Sequence, residues 1–250
     1  MSTVATTVGK FVWHEQVSSD PKQAQDFYTQ LFGWGTEVFK PGEIDYTMIS
    51  SGGQMHGGFG KAMEGAPPPH WLSHVRVENL EETIEKAKNA GGKVAFGPEE
   101  MGEVGRMAII KDPQGAHISI YQPLTEGPVG EGVFVWDELG TTDVDGAQRF
   151  YEQVFGWTTS DMGPDYGGYR IFNVGETGIA GLMTLPDSSI PPHWQPYVAV
   201  DDPDATVAKA KDLGGAALLE PMDVPKVGRL AVLRDPQGAT FGIIRPEPES

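Results

Sequence analysis

Residues 11–34, FVWHEQVSSDPKQAQDFYTQLFGW, return at residues 134–157 as FVWDELGTTDVDGAQRFYEQVFGW, and the 123-residue offset continues without a gap through the rest of the sequence. His70 and Trp71 recur as His193 and Trp194, Tyr46 as Tyr169, Gly58 as Gly181, Gly105 and Arg106 as Gly228 and Arg229, and Asp112 to Ala116 as Asp235 to Ala239. A period this long marks duplication of a whole domain, because solenoid repeats run to about 20 to 50 residues. The expected domains are residues 1–123 and 124–250. Residues kept in both copies are candidates for scaffold, and residues that differ are candidates for a site present in one half.

Inside each copy a second, weaker repetition is visible. A short alternating segment leads to a capping residue and then to a helix-period run, and this start occurs four times along the chain. Asp20 precedes Pro21 and has Gln23 at N3, Asn79 has Glu82 at N3, and Asp143 and Asp202 stand at the matching places; all four read as N-caps. Ala24, Phe27, Tyr28, Leu31 and Phe32 share one helical stripe, as do Leu80, Ile84 and Ala87, which suits helices packed on a sheet. The segments after each helix are rich in β-formers and broken by Gly, Pro and Asp turns. The pattern is βαβββ four times, starting near Phe11, Trp71, Phe134 and Trp194, and it predicts an α+β fold. Pro123 to Gly132 reads as a linker, and the tail after Ile244 is expected to fray.

Lys plus Arg number 18 against 35 Asp plus Glu, with net charge -5 in residues 1–123 (10 against 15) and -12 in residues 124–250 (8 against 20). A surface this acidic repels phosphate backbones and anionic lipid, so neither nucleic acid nor a membrane surface is an expected partner. Cysteine is absent, which removes disulfides, thiolate ligands and cysteine nucleophiles together. MSTVATTVGK lacks an apolar signal core and no stretch approaches the roughly 20 apolar residues of a membrane span, so a cytoplasmic address is expected.

Paired βαβββ modules, each first helix Asp-capped and ending FY…FGW, with a DPxG hairpin before the last strand, resemble the vicinal oxygen chelate superfamily. That superfamily includes glyoxalase I, bleomycin-resistance proteins and extradiol dioxygenases, and the resemblance runs over nearly the whole chain, twice. More narrowly the sequence looks like the tandem-domain proteins labelled glyoxalase or hydroxylase. The resemblance implies two glyoxalase-like domains whose sheets curl into half-barrels, with a small-molecule ligand on the concave face, in many members around a divalent metal. It also implies ligand slots, which fall here on Val12, Leu72 and Ser119 and on Val135, Gln195 and Gly242; a one-residue slip of the first strand would substitute Trp13 and Trp136. None of these is an imidazole or carboxylate, the donors such ions need. No cofactor is therefore expected, and no metal ligand is assigned.

Five of the six histidines lie in the first copy. Strand alternation would put His14, His74, Arg76, His117 and Tyr121 in phase with Val12, Leu72 and Ser119, while the second copy has Asp137, Tyr197 and Thr240 where the first has His14, His74 and His117. His14 and His74 are the candidate acid or base, since histidine can act near neutral pH without a metal. Arg76, His117, Ser119, Tyr121, Tyr197 and Asp137 are the candidate ligand-binding residues. A metal shared by His14, His74 and His56 stands as the alternative; His74 and His117 fall about four strand residues, roughly 13 Å, apart and cannot share an ion.

The aromatics of FY…FGW read as core, DPQG as a turn, and the histidines of Pro-Pro-His-Trp as hydrogen-bonded turn residues. Glu15 and Glu138, kept within apolar strands, need partners, and the retained Arg106 and Arg229 are the expected ones. Three functions compete: an enzyme of the glyoxalase or hydroxylase kind acting on a small oxygenated molecule, a protein that sequesters an antibiotic-like compound, and a partner-binding scaffold. Either a monomer with two paired domains or a homodimer is compatible with the sequence.

Overall fold

The computed structural model describes residues 7–40, 45–124 and 132–248. In the first repeat the elements are β1 (Phe11–Ser18), α1 (Pro21–Phe32), β2 (Gly35–Phe39), β3 (Tyr46–Ser51), β4 (Gln54–Lys61), β5 (His70–Arg76), α2 (Leu80–Asn89), β6 (Lys93–Glu100), β7 (Gly105–Lys111) and β8 (His117–Pro123). The second repeats this order as β9 (Phe134–Thr141), α3 (Val144–Phe155), β10 (Thr158–Asp161), β11 (Arg170–Val174), β12 (Thr177–Thr184), β13 (His193–Ala199), α4 (Pro203–Asp212), β14 (Ala216–Val224), β15 (Gly228–Arg234) and β16 (Thr240–Pro246). The four modules begin where the sequence places them. Two details differ or fall away: β16 runs on to Pro246 instead of fraying after Ile244, and residues 125–131 of the expected linker lie outside the described residues.

Helix starts follow the local chemistry. Asp20 accepts from the Gln23 N–H at 3.0 Å, Asn79 from Glu82 at 3.0 Å, Asp143 from Gly146 at 2.9 Å and Asp202 from Ala205 at 3.0 Å, each satisfying a donor that the first helical turn cannot. Gly33 and Gly156, both at φ 71°, end α1 and α3 in the left-handed conformation.

Each repeat supplies one open eight-stranded sheet, ordered β2-β3-β4-β1-β5-β8-β7-β6 and β10-β11-β12-β9-β13-β16-β15-β14. Hairpins pair antiparallel, while β1 pairs with β4 and β5 with β8 in parallel. The compact units, by contrast, each recruit from both repeats. Of the described residues, 7–13, 73–124 and 137–194 form one, and 14–40, 45–72, 132–136 and 195–248 the other.

The first unit buries Val75, Leu80, Ile110, Ile118 and Ile120 of repeat one with Phe150, Tyr151, Trp157, Phe172 and Trp194 of repeat two. At its centre Trp194 Nε1 donates to Tyr151 Oη at 2.9 Å, and Tyr151 Oη donates to Asp112 Oδ2 at 3.1 Å. Asp112 Oδ1 accepts from the backbone N–H groups of Gln114, Gly115 and Ala116 at 3.0, 2.7 and 2.9 Å. The DPQG turn is thus structural, as its sequence indicates, but its aspartate also serves the other repeat.

The second unit holds the reciprocal arrangement among Phe27, Tyr28, Trp34, Phe59, Trp71 and Phe241. Trp71 Nε1 donates to Tyr28 Oη at 2.9 Å and Tyr28 Oη to Asp235 Oδ2 at 3.1 Å. Asp235 Oδ1 accepts from Gln237, Gly238 and Ala239 at 2.9, 2.8 and 2.9 Å. Gln16 Nε2 adds a donor to Asp235 at 3.3 Å; its counterpart is the fully buried Leu139, and Gln16 Oε1 has no partner among the described residues. Gln16→Leu, which copies the second repeat, is expected to change stability by less than about 1 kcal/mol, because the donor lost by Asp235 is offset by the buried carbonyl removed.

Burial pushes the Asp112 and Asp235 carboxyls up, and their turn N–H groups and tyrosines draw them partly back. Tyr28 and Tyr151 lie well above the usual phenol value of 10.0, first through burial and then through the neighbouring carboxylate. The folded state therefore keeps two protons that the unfolded chain releases above about pH 10. Stability falls as pH rises through that value, by about 1.4 kcal/mol per pH unit for each tyrosine. Tyr28→Phe strips Trp71 of its acceptor and Asp235 of a donor, costing about 1–3 kcal/mol near neutral pH. Urea unfolding between about pH 9 and 11 should show its alkaline slope reduced by one tyrosine's share; an unchanged slope would mean that Tyr28 is not held neutral.

Candidate functional site

Strand β5 alternates between two environments. Trp71, Ser73 and Val75 face the helix-side core, with Trp71 bonded to Tyr28 of α1 and Val75 fully buried. Leu72, His74 and Arg76 therefore stand on the opposite face. Strand β8 is in phase: Ile118 and Ile120 enter the core, leaving His117, Ser119 and Tyr121 on the other side. The parallel register sets His74 beside Ser119 and Arg76 beside Tyr121, and the antiparallel partner β7 adds Ile109 beside Ser119 and Met107 beside Tyr121.

An imidazole, a hydroxyl, a guanidinium and a phenol thus share two adjacent strands. His74 is 5% exposed and Arg76 7%, while His117 and Tyr121 are half-buried. Arg76 Nη1 donates to Thr7 Oγ1 at 2.6 Å, which fixes the guanidinium against the chain just before β1. Tyr121 Oη donates to the Val104 carbonyl at 2.7 Å. Burial pushes this phenol up and the Arg76 charge partly counters it.

The remaining candidates sit elsewhere. His14 is in phase with Gln16 and Ser18, both fully buried. Gln16 and Trp71 converge on Asp235 and Tyr28, so His14 lies on the face of Trp71, opposite that of His74. Its ring stacks on Phe134 with centroids 4.1 Å apart and planes 23° from parallel. Asp137 also lies on the core side, accepting from Ser73 Oγ at 2.5 Å. The first strand is therefore one residue out of the phase that aligned Val12 with Leu72, and its slots are Trp13 and Trp136. The strand offers no clean alternation of apolar and polar residues, and its phase is marked by the long-range bond of Gln16.

Position 74 of the first repeat is occupied by Tyr197 in the second, and position 119 by Gly242, again paired in register. A Cβ at Gly242 would lie 2.2 Å from Tyr197 Cδ1, so the tyrosine ring covers the glycine. Gln195 Nε2 donates to Tyr197 Oη at 3.3 Å, and Arg76 is replaced by Ala199. In the second repeat the Tyr197 ring thus covers the position that Ser119 holds in the first.

The metal slots, Trp13, Leu72 and Ser119 with Trp136, Gln195 and Gly242, offer a hydroxyl and an amide at most. That donor set does not fit a divalent ion, which needs imidazole or carboxylate ligands. Among the described residues no group of three His, Asp or Glu is placed to hold one.

Both pairs expected from charge alone are replaced. Arg106 binds Glu81 and Glu100, each at 2.6 Å, and Arg229 binds Asp204 at 2.6 Å and Asp223 at 3.2 Å. Glu15 instead accepts from Tyr46, and Glu138 from Tyr169 at 2.8 Å. Tyr46 and Tyr169 are themselves kept at the repeat offset, a signal that could have found them. His70 and His193 are hydrogen-bonded as expected, each with Nδ1 2.8 Å from a proline carbonyl, those of Pro68 and Pro191, but they open strands β5 and β13 instead of lying in turns.

Comparison with known proteins gives a consistent family. The model of the Glyoxalase/Bleomycin resistance protein/Dioxygenase superfamily matches residues 10–120 and again 134–243. The Mycobacterium bovis protein named "Putative glyoxylase CFP32" is 38% identical over 247 residues, covering 95% of both chains. The anthracycline biosynthesis protein DnrV of Streptomyces peucetius is 32% identical over 256 residues, covering 94% of this chain and 93% of its own. Among solved structures, the 2,3-dioxygenase LapB from Pseudomonas sp. KL28 superposes with a TM-score of 0.68 at 12% identity, covering 98% of this chain and 95% of its own; at that identity the likeness is one of fold.

The Tyr197 and Gly242 arrangement can be tested by transplanting the first repeat into the second. Gly242→Ser alone is expected to destabilise by about 1–3 kcal/mol through overlap with the ring. In a Tyr197→His background the same change should cost much less, so a double-mutant cycle of thermal unfolding should show coupling. Additive effects would mean that the ring does not occupy that place.

Proposed function

Because this chain belongs to the glyoxalase/bleomycin resistance protein/dioxygenase superfamily, we propose that it binds and transforms a small oxygenated molecule on the β5 and β8 face of its first repeat, without the divalent metal used by many fold relatives. The observation that carries the reading is the register of β5 on β8, which sets His74 beside Ser119 and Arg76 beside Tyr121.

In this reading Arg76, held by Thr7, and Tyr121 orient ligand oxygens, since a guanidinium presents several donors in fixed geometry. Ser119 and His117 add neutral donors. His74 acts as acid or base, a role that imidazole fills near neutral pH. Two apolar neighbours, Met107 and Ile109, would line the ligand's hydrocarbon part. Relatives bearing the names "Putative glyoxylase CFP32" and "Anthracycline biosynthesis protein DnrV" support a small-molecule ligand. The metal-slot residues argue against a chelate mechanism by their chemistry, and no step here passes through an ion.

The test is a fluorescence titration with a panel of 1,2-dicarbonyl and o-diphenol probes, with product followed by chromatography. Arg76→Met is expected to weaken binding roughly ten- to a hundredfold, the worth of a hydrogen bond to a charged group. His74→Ala should retain binding and lose turnover by about 10²–10⁴-fold. Binding unaltered by Arg76→Met would overturn the site. Binding with no product from the wild-type protein would instead assign sequestration.

A further inference from the structure

The chain just before β1 forms a turn that links Arg76 to the second repeat, and all parts of the link lie in the first compact unit. The Lys10 N–H donates to the Thr7 carbonyl at 3.0 Å, the Gly9 N–H to the Arg76 carbonyl at 2.8 Å and the Arg76 N–H to the Lys10 carbonyl at 3.0 Å. The turn thereby sets the Thr7 hydroxyl 2.6 Å from Arg76 Nη1. From the other side Trp157 Nε1 donates to the Gly9 carbonyl at 2.8 Å. Gly9 has φ 80°, and a Cβ there would lie 3.3 Å from Val174 Cγ2 and 3.4 Å from Trp157 Nε1, so the turn sits directly against the indole.

The matching place in the second compact unit shows how much of this the fold requires. There the Ala199 N–H donates to the Val133 carbonyl at 3.0 Å, as Arg76 does to Lys10. Phe134 packs on Trp34 and Trp71 with centroids 5.7 and 5.2 Å away, as Phe11 packs on Trp157 and Trp194 at 5.8 and 5.4 Å. Backbone pairing and aromatic packing are thus met in both halves, and the polar part differs. Gly130 stands at the offset of Thr7 and Ala199 at that of Arg76. A Cβ at Gly132, the counterpart of Gly9, would have His56 Nδ1 as its nearest neighbour, 3.4 Å away, and Trp34 Nε1 makes no hydrogen bond among the described residues. The indole bond to the turn is therefore not a requirement of the core. It occurs on the side that has the threonine and the arginine.

We infer that Trp157 of the second repeat is a positioning residue for the Arg76 guanidinium of the first, acting through the Gly9 carbonyl and the Thr7 hydroxyl. The indole is 3% exposed and held by the packed rings around it, and its N–H passes that rigidity to the turn. Without the bond Thr7 swings with the chain before β1, and the donors of Arg76 lose the fixed direction that makes a guanidinium selective for the placement of ligand oxygens. The inference rests on the reading of Arg76 as the group that orients those oxygens, and adds that its aim is set from the other repeat.

Isotope-edited NMR of the arginine side chains tests it on the whole chain, with rotation about the Arg76 Cζ–Nη1 bond as the readout, because a hydrogen-bonded Nη1 turns more slowly than an unbonded one. Trp157→Phe keeps a ring in the core and removes the N–H, and Thr7→Val removes the acceptor at nearly equal size. Each is expected to quicken the rotation about two- to tenfold, the worth of one net hydrogen bond, and the two together no more than Thr7→Val alone. Thr7→Ser should keep the slow rotation, and so should Trp34→Phe, which trims the equivalent ring of the other unit. Calorimetric titration with catechol and 1-phenylpropane-1,2-dione should show binding weakened by about the same factor in both variants, and by nothing further once Arg76→Met is present. A lowered melting temperature in Trp157→Phe with the Arg76 rotation unchanged would overturn the inference alone and leave Trp157 a core residue. Quickened rotation with no probe distinguishing wild type from Arg76→Met would overturn the ligand reading of Arg76 and the inference with it. Should Trp157→Phe fail to fold, Gly9→Ala decides in its place: strained at φ 80° and pressed against the indole, it is expected to quicken the same rotation.

Discussion

The structure depends on a hydrogen bond between a buried tyrosine of one repeat and a buried aspartate of the other, made twice. Tyr28 bonds Asp235 and Tyr151 bonds Asp112, both at 3.1 Å. A carboxylate in an aromatic core is costly unless its lone pairs are occupied. Here three turn N–H groups and a phenol occupy them, and the phenol is in turn the acceptor for a tryptophan. Removing any partner leaves a buried polar group unsatisfied, so the aromatic residues, the turn and the helix that carries the tyrosine are coupled. The shared features of the repeats, FY…FGW, His-Trp and DPQG, are the parts of this one device.

The same constraint fixes what faces where. Once Trp71 points at Tyr28, Leu72, His74 and Arg76 must point away, and the parallel register with β8 completes the polar group on that side. Once Gln16 reaches Asp235, His14 falls on the core side and Glu15 on the other. The candidate residues His74, Arg76, Ser119 and Tyr121 therefore share the β5 and β8 face, while His14 and Asp137 lie on the core side of their strands.

Much of this was legible because it is local or repeated. Capping aspartates, helix stripes and DPQG turns are decided within a few residues, and the 123-residue offset supplied the comparison that family patterns normally require. The phase of β1 was not legible, since FVWHEQVS lacks strict alternation and its face is chosen by a partner more than 200 residues away, Asp235. Nor was the partner of Glu15. Charge complementarity nominated Arg106, but strand order puts a phenol within reach, and α2 supplies Arg106 with Glu81. The asymmetry at positions 74 and 119 was visible as a list of differences; that Tyr197 covers Gly242 required coordinates.

Because each compact unit takes its tyrosine from one repeat and its aspartate from the other, a polypeptide with a single repeat could satisfy both groups in this geometry only by pairing with an identical copy. Such a pair is a symmetric dimer, in which every substitution appears twice. Joining the copies in one chain lifts that symmetry. The core device is then held in both halves by mutual need, while other positions differ between them, as with His74 against Tyr197 and Arg76 against Ala199. In this sense gene fusion here acts as a licence for divergence: the scaffold remains a dimer in its physics, and the site is free to evolve as a monomer's would.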